Sequence, residues 1–213
     1  MNKRLEIERM EDRSMMTGVV HFDSGVLTIN MDGGTWDHSL RVVQVAGNVH
    51  VSGNANLSHV QGLPAAAVRE IIVNGTVQND SIDLSNVDSY GFPALQQVTI
   101  RAGAGNDTVL GSQVHDVIFG GKGDDFIRAL AGNDEIHGGK GNDTVMGGAG
   151  VDLLFGNRGN DRLYGCEHGY SDNDRDSIFG GRGYDTFGFN NRYTDLNDVY
   201  RGIERDCRYQ GCV

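Results

Sequence analysis

Aspartates recur along the middle of this chain at positions 107, 116, 125, 134, 143, 152 and 161, nine residues apart each time. After an insertion of six residues, Asp176 and Asp185 resume the same step. Glycine crowds the residues before them, as in GGKGDD at 120–125, GGKGND at 138–143 and GGAGVD at 147–152. A carboxylate held at a fixed interval behind glycine-rich backbone is an all-oxygen donor set, because glycine lets main-chain carbonyls come close to whatever a turn surrounds. Such donors suit a hard cation that accepts six or more oxygens in a loose cage. Calcium meets that description, whereas magnesium demands a stricter octahedron.

The elements that must position these carboxylates follow from a second regularity. Two residues after each aspartate stands Val109, Ile118, Ile127, Ile136, Val145, Leu154, Leu163, Ile178 or Phe187, all apolar. Each nonapeptide therefore divides into a six-residue turn and a three-residue strand whose central side chain points inward between polar neighbours. A fixed period with a fixed apolar slot marks a solenoid, in which stacking supplies a core that no single repeat can bury. Two turns and two strands make an eighteen-residue coil, so successive turns lie on opposite edges. Aspartates eighteen apart in sequence then become neighbours about 4.8 Å apart. Without counter-charge such a ladder repels itself. The fold class expected is all-β, a parallel β-roll or β-helix solenoid with irregular β-coils before it and a short cap after it.

The copies GGKGDDFIR, GGKGNDTVM and GGAGVDLLF satisfy the motif G-G-x-G-x-D-x-U-x at every defined position, and residues 102–187 resemble the RTX, or haemolysin-type, calcium-binding repeat family. The resemblance implies ions between turns of adjacent coils. One turn offers its second and fourth carbonyls and its aspartate, and the turn eighteen residues on offers its first and third carbonyls and its aspartate. Carried onto this chain, Gly103, Gly105 and Asp107 would meet Gly120, Lys122 and Asp125. Gly121, Gly123 and Asp125 would meet Gly138, Lys140 and Asp143, and Gly139, Gly141 and Asp143 would meet Gly156, Arg158 and Asp161. Asn157, Gly159 and Asp161 would meet Gly180, Arg182 and Asp185. On the other edge Leu130, Gly132 and Asp134 would meet Gly147, Ala149 and Asp152, with Asp116 and Asp176 completing the row.

The two edges are unequal. The first keeps glycine at the fourth turn position throughout, at 105, 123, 141, 159 and 183, while the second places Val114 there. A β-branched residue is strongly disfavoured at positive φ. One well-filled edge and one patchy edge are expected, with the pair Asp116 and Asp134 the poorest.

Charge and composition narrow the classes. The 213 residues carry a formal charge of -11, with 32 glycines against two prolines. Acidity concentrated in turns favours cations as partners and argues against nucleic acid or an anionic membrane. No run approaches the length of a transmembrane helix. Of the three cysteines, Cys207 could pair with Cys212 or either with Cys166, and the odd count leaves this open. Zinc is a weak rival, since His168 is the only histidine near them in sequence.

Four segments are expected. Residues 1–17 lack the apolar stretch of a secretory signal. Arg4, Leu5, Glu8, Met10, Glu11, Asp12, Arg13, Met15 and Met16 resemble an N-terminal motif seen at the start of large exported bacterial proteins, the alternative being a polar helix. Residues 18–100 alternate like strands between Gly/Asn turns, as in VLTINM, LRVVQVA and NVHVSG, with a loop or helical turn at Pro64. Within them DGGTWD puts Asp37 in a ligand slot behind Trp36, and Gly75 to Asp80 imitates a repeat turn without its fourth glycine, so calcium is not expected there. Residues 101–188 form the roll. Its insertion brings Asp172, Asp174 and Asp176 into alternation, but Ser177 and Gly183 stand where an EF-hand needs glycine and glutamate, which leaves Asp176 to the repeat. Residues 189–213 would form a closing cap.

No HExxH, G-x-S-x-G or GxxxxGK[ST] occurs, and no two histidines stand four apart. The sequence therefore points to a non-catalytic, secreted calcium-binding β-roll that folds on calcium outside the cytoplasm and serves as a structural, export or surface module. The alternatives are a calcium-dependent adhesive or carbohydrate-binding surface, suggested by an outward row of Phe119, His137, Phe155 and Phe179, and a polysaccharide-acting β-helix enzyme.

Overall fold

The computed structural model describes residues 19–31, 33, 38–53, 62–166, 175–187 and 199–201. The motif at 1–17, Trp36, Asp37, His168, Asp172, Asp174, Cys207, Cys212 and nearly all of the tail lie outside them. The described chain forms β1 (Val19–Asp23), β2 (Val26–Asn30), β3 (Ser39–Val45), β4 (Asn48–Gly53), β5 (Glu70–Asn74), β6 (Ser81–Asp83), β7 (Gln97–Ala104), β8 (Thr108–Leu110) and β9 (Asp116–Lys122). It continues with β10 (Phe126–Ala131), β11 (Glu135–Lys140), β12 (Thr144–Ala149), β13 (Leu153–Arg158), β14 (Arg162–Tyr164), β15 (Ser177–Arg182), β16 (Thr186–Phe187) and β17 (Val199–Arg201). One short 3₁₀ turn, Ala65–Ala67, follows Pro64.

From β4 onward, successive strands alternate between two sheets. One has the order β1-β2-β5-β7-β9-β11-β13-β15-β17 and the other β16-β14-β12-β10-β8-β6-β3-β4. From β5 onward every pairing is parallel, with Ile118 opposite Ile136, Ile136 opposite Leu154, and Ile127 opposite Val145. This is the two-sheet β-roll that the nine-residue period dictates. Several strands are longer than three residues, because the first half of each such turn stays in register with the next coil: Gly121 pairs with Gly139 and Lys122 with Lys140.

Both sheets begin with an antiparallel hairpin, β1 on β2 and β3 on β4. Each hairpin turns on two residues at positive φ, Ser24 at 52° with Gly25 at 92°, and Ala46 at 50° with Gly47 at 82°. Positive φ at both central positions is the demand of a type I′ turn, whose twist matches that of the flanking strands.

The core lies between the sheets and changes thickness along the axis. The early strands β2, β5 and β7 each bury two large side chains, Leu27 with Ile29, Ile71 with Val73 and Val98 with Ile100, and Leu84, Val87 and Phe92 fill the connection before β7. In the repeats each strand triplet contributes one, from Val109 through Ile178, and Phe187 is half-buried against the last of them. One aliphatic side chain per rung is worth about 1.5–3 kcal/mol of burial. The outer face of the longer sheet carries Phe119, His137, Phe155 and Phe179 as a continuous stack, with ring centroids 5.0, 4.6 and 5.1 Å apart. Arg101 lies 5.9 Å over the Phe119 ring. Because the stacked faces are turned toward one another, this row spends its π surface on holding rungs together.

Candidate metal centre

The turns that keep the full motif have two kinds of glycine. The second and fourth are required by backbone conformation: φ is 117° at Gly121, 116° at Gly123, 122° at Gly139 and 129° at Gly141. The first is required by space. A Cβ on Gly120 would lie 2.5 Å from Asp125 Oδ2 and 2.6 Å from Gly138 O. The aspartate therefore folds back under the first residue of its own turn, with Oδ2 facing the gap before the next rung. Leu130 and Asn157 occupy the second position without being glycine, at φ 85° and 74°.

Carbonyls converge on the same gaps. Those of Gly103, Gly105, Gly121, Gly123, Leu130, Gly132, Asn157 and Gly159 point at the glycines eighteen or twenty-four residues further on, where any Cβ would sit on them. From the other side, the Gly138 and Gly180 carbonyls point back at Gly120 and Gly156. Third-position carbonyls also face back: Lys122, Lys140, Arg158 and Arg182 accept the N–H of Gly105, Gly123, Gly141 and Gly159 at 2.8, 2.7, 2.9 and 2.9 Å, and Ala149 accepts that of Gly132 at 2.9 Å.

The carboxylates form two buried ladders. On the first edge the N–H groups of Asp80, Asp107, Asp125, Asp143 and Asp161 donate to Oδ1 of Asp107, Asp125, Asp143, Asp161 and Asp185, at 2.7, 2.8, 2.9, 2.9 and 3.0 Å. On the second edge those of Asp116, Asp134 and Asp152 donate to Oδ1 of Asp134, Asp152 and Asp176 at 2.8, 2.9 and 2.8 Å. The other oxygen, Oδ2, is buried without a hydrogen-bond partner in Asp107, Asp125, Asp134, Asp143, Asp161 and Asp185. A buried carboxylate oxygen left without donor or counter-charge is costly.

The same burial raises the carboxyl pKa values along the ladders. Burial pushes Asp125 up to about 7, opposed by the Asp107 N–H and reinforced by the charges of Asp107, Asp143 and Asp124. Burial likewise lifts Asp107, Asp134, Asp143 and Asp161 to about 6. Asp116 rises well above the usual carboxylate range through burial and then the charge of Asp134. Among the described residues no three acidic, His or Cys side chains converge on one point. A cation held here would draw on two carboxylates and several carbonyls, a ligand mix that fits calcium and does not fit zinc.

Two features lay outside the sequence expectation. Asp80 is the first rung of the first edge, twenty-seven residues before Asp107, so the worn turn Gly75 to Asp80 is part of the ladder. Fifth-position residues form a second, exposed ladder running the opposite way: the N–H groups of Asn106, Asp124, Asn142, Asn160 and Tyr184 donate to Oδ1 of Asn79, Asn106, Asp124, Asn142 and Asn160 at 2.7–2.9 Å. The recurring Asn or Asp before the ligand aspartate was the available signal. Val114 takes no positive φ, so the turn 111–116 follows a different path from its neighbours.

Buried acidic ladders faced by carbonyls from both sides define a class, the β-roll that binds hard cations between its rungs. Residues 98–118, 110–145, 137–165 and 170–187 match the RTX calcium-binding nonapeptide repeat in four copies. The repeat region belongs to that family, whose nonapeptides bind several calcium ions, and it is a calcium-binding structural module. Comparison with curated proteins and with solved structures gives no match to the chain.

Proposed function

We propose that the chain is a non-catalytic module whose roll is set by calcium outside the cytoplasm, serving in export or as a surface element. The observation that carries this is the run of buried, unpartnered Oδ2 atoms along the first edge, with that of Asp134 on the second, which leaves negative charge inside the roll without a counter-charge. The donor sets are those implied by the repeat: the second- and fourth-position carbonyls and aspartate of one rung with the first- and third-position carbonyls and aspartate of the next, from Asp107 to Asp185 and from Asp134 to Asp176. Bound there, calcium supplies positive charge and a flexible oxygen-rich coordination sphere. Metal that binds only the folded chain adds RT ln(1 + [L]/K_d) per site, about 2.7 kcal/mol at a hundredfold excess over K_d. Calcium modules of the extracellular kind have K_d on the order of 10⁻⁴ to 10⁻³ M, so the low calcium inside a cell would leave the roll loose and the higher calcium outside would set it. Among the described residues no helix is long and apolar enough to cross a membrane.

The test is thermal unfolding of the full chain, followed by circular dichroism, with calcium, with magnesium and with chelator. Calcium should raise the melting temperature strongly and magnesium weakly. An identical melting temperature in calcium and in chelator would sink the proposal. The adhesive alternative gains nothing from the aromatic row, because its ring faces already lie against one another.

A further inference from the structure

We propose that Thr76 and Ser112 are hydroxyl stoppers that close the first rung of each column without metal, so that ion binding begins one gap later on both edges. This rests on the calcium reading of the ladders given above. The first occupied gap is then Asp107/Asp125 on one edge and Asp134/Asp152 on the other.

Both turns have a hydroxyl residue where the regular repeat has its second glycine, GTVQND at 75–80 and GSQVHD at 111–116. The two make the same bonds. The Ser112 N–H donates to Asp116 Oδ2 at 2.7 Å and its hydroxyl donates to Asp116 Oδ1 at 2.6 Å. The Thr76 N–H donates to Asp80 Oδ2 at 2.6 Å and its hydroxyl donates to Asp80 Oδ1 at 3.1 Å. In each turn the residue two further on steadies the hydroxyl oxygen, Val114 N–H at 3.2 Å and Gln78 N–H at 3.0 Å. On the first edge His38 Nδ1 lies a further 3.4 Å from Asp80 Oδ1.

The later rungs lack this pair of donors. In Asp107, Asp125, Asp134, Asp143 and Asp161 the Oδ2 atom facing the next gap is buried without a donor. In Asp80 and Asp116 that same atom is taken by the main chain of the stopper residue. Thr76, Gln78, Ser112 and Val114 all avoid positive φ, so these turns do not adopt the backbone that the glycines impose elsewhere. The gaps Asp80/Asp107 and Asp116/Asp134 thus lose a carboxylate from a cation that wants six or more oxygens. A hydroxyl and an amide perform locally, at two donors per carboxylate, the neutralising task that the other rungs leave to an ion.

Calcium bound per full-length chain, measured by equilibrium dialysis with metal analysis, tests this directly. Asp116→Asn should leave the number of ions unchanged, since the Ser112 hydroxyl can turn its proton to Val114 O, 3.3 Å away, and accept from the new amide. Asp125→Asn, in contrast, should lower the number. Restoring both glycines with Ser112→Gly and Val114→Gly should add one ion. Loss of an ion in Asp116→Asn overturns the proposal, and so does a folded Ser112→Gly/Val114→Gly chain that binds no more than the parent. If the double variant does not fold, the Asp116→Asn result decides alone. A parent chain that binds no calcium is a separate outcome, which removes the calcium reading itself.

Discussion

Calcium affinity should fall steeply when the pH is lowered from 7.5 to 6, and the size of the fall can be worked from two carboxyls. The gap between Asp125 and Asp143 is bounded by groups lifted to about 7 and about 6, each from an ordinary value of 3.8. Calcium requires both ionised, so protons compete with it. Over this interval the competing factor grows about eightfold for Asp125 and about twofold for Asp143, together roughly 16-fold in affinity. The gap between Asp143 and Asp161, bounded by two groups near 6, should weaken only about fourfold over the same interval. In chelator the sign reverses. A carboxyl whose folded value is raised holds its proton in the folded state where the unfolded chain has released it. That stabilisation is present in full below the unfolded value and is lost as pH rises through 6 to 7. The metal-free roll should therefore melt at a higher temperature at pH 5.5 than at pH 7.5, and the calcium-loaded roll at a lower one. Calorimetric titration at the two pH values, in buffers of different ionisation enthalpy, measures both the affinity and the protons released. Equal affinity at pH 7.5 and 6, with no proton release, would refute the claim that burial raises these carboxyls toward neutral pH.

Three further outcomes follow from the geometry. Gly121→Ala would place a Cβ on Gly103 O at a φ of 117°, so it should unzip the first edge and lower the calcium-loaded melting temperature by the equivalent of about 3 kcal/mol or more, read by calorimetry. Ile136→Ala empties a fully buried slot in a core one residue thick, and should cost about 2–5 kcal/mol in denaturant unfolding with calcium present. Lys122, Lys140, Arg158 and Arg182 stand in register and exposed along the first edge, so Lys122→Gln with Lys140→Gln should tighten calcium binding a few-fold at low ionic strength. That gain should disappear near 1 M salt, where the screening length shrinks to about 3 Å.

The architecture of residues 101–187 is legible in the sequence because two constraints repeat together. An apolar residue two places after each aspartate fixes which side chain enters the core, and the nine-residue step fixes which strands pair. The burial of Val109 through Ile178 and the register of Ile118 on Ile136 are consequences of that double period. The hairpins β1–β2 and β3–β4 were less legible, since each depends on one dipeptide, Ser24-Gly25 and Ala46-Gly47, whose signal is weak beside a ninefold repeat. The first-position glycines show a different gap. Sequence assigns them to backbone freedom, but at Gly120 and Gly138 the reason is the aspartate oxygen folded beneath them, a contact that exists only once the turn has closed. The stopper turns are of the same kind: the place of Ser112 in the repeat is visible at once, but its two bonds to Asp116 require the turn to leave the glycine path.

The paired hairpins at the start of the sheets give the molecule a direction. A parallel stack built from identical courses would expose, at its outermost strand, the same row of donors and acceptors that joins each course to the next, an invitation to a second molecule. Among the described residues β1 and β4 are the terminal strands at that end, and each runs antiparallel to its neighbour. An incoming copy that offers a strand in the roll's own sense could meet these strands only through an antiparallel ladder, so stacking here would not continue the parallel register of the repeats.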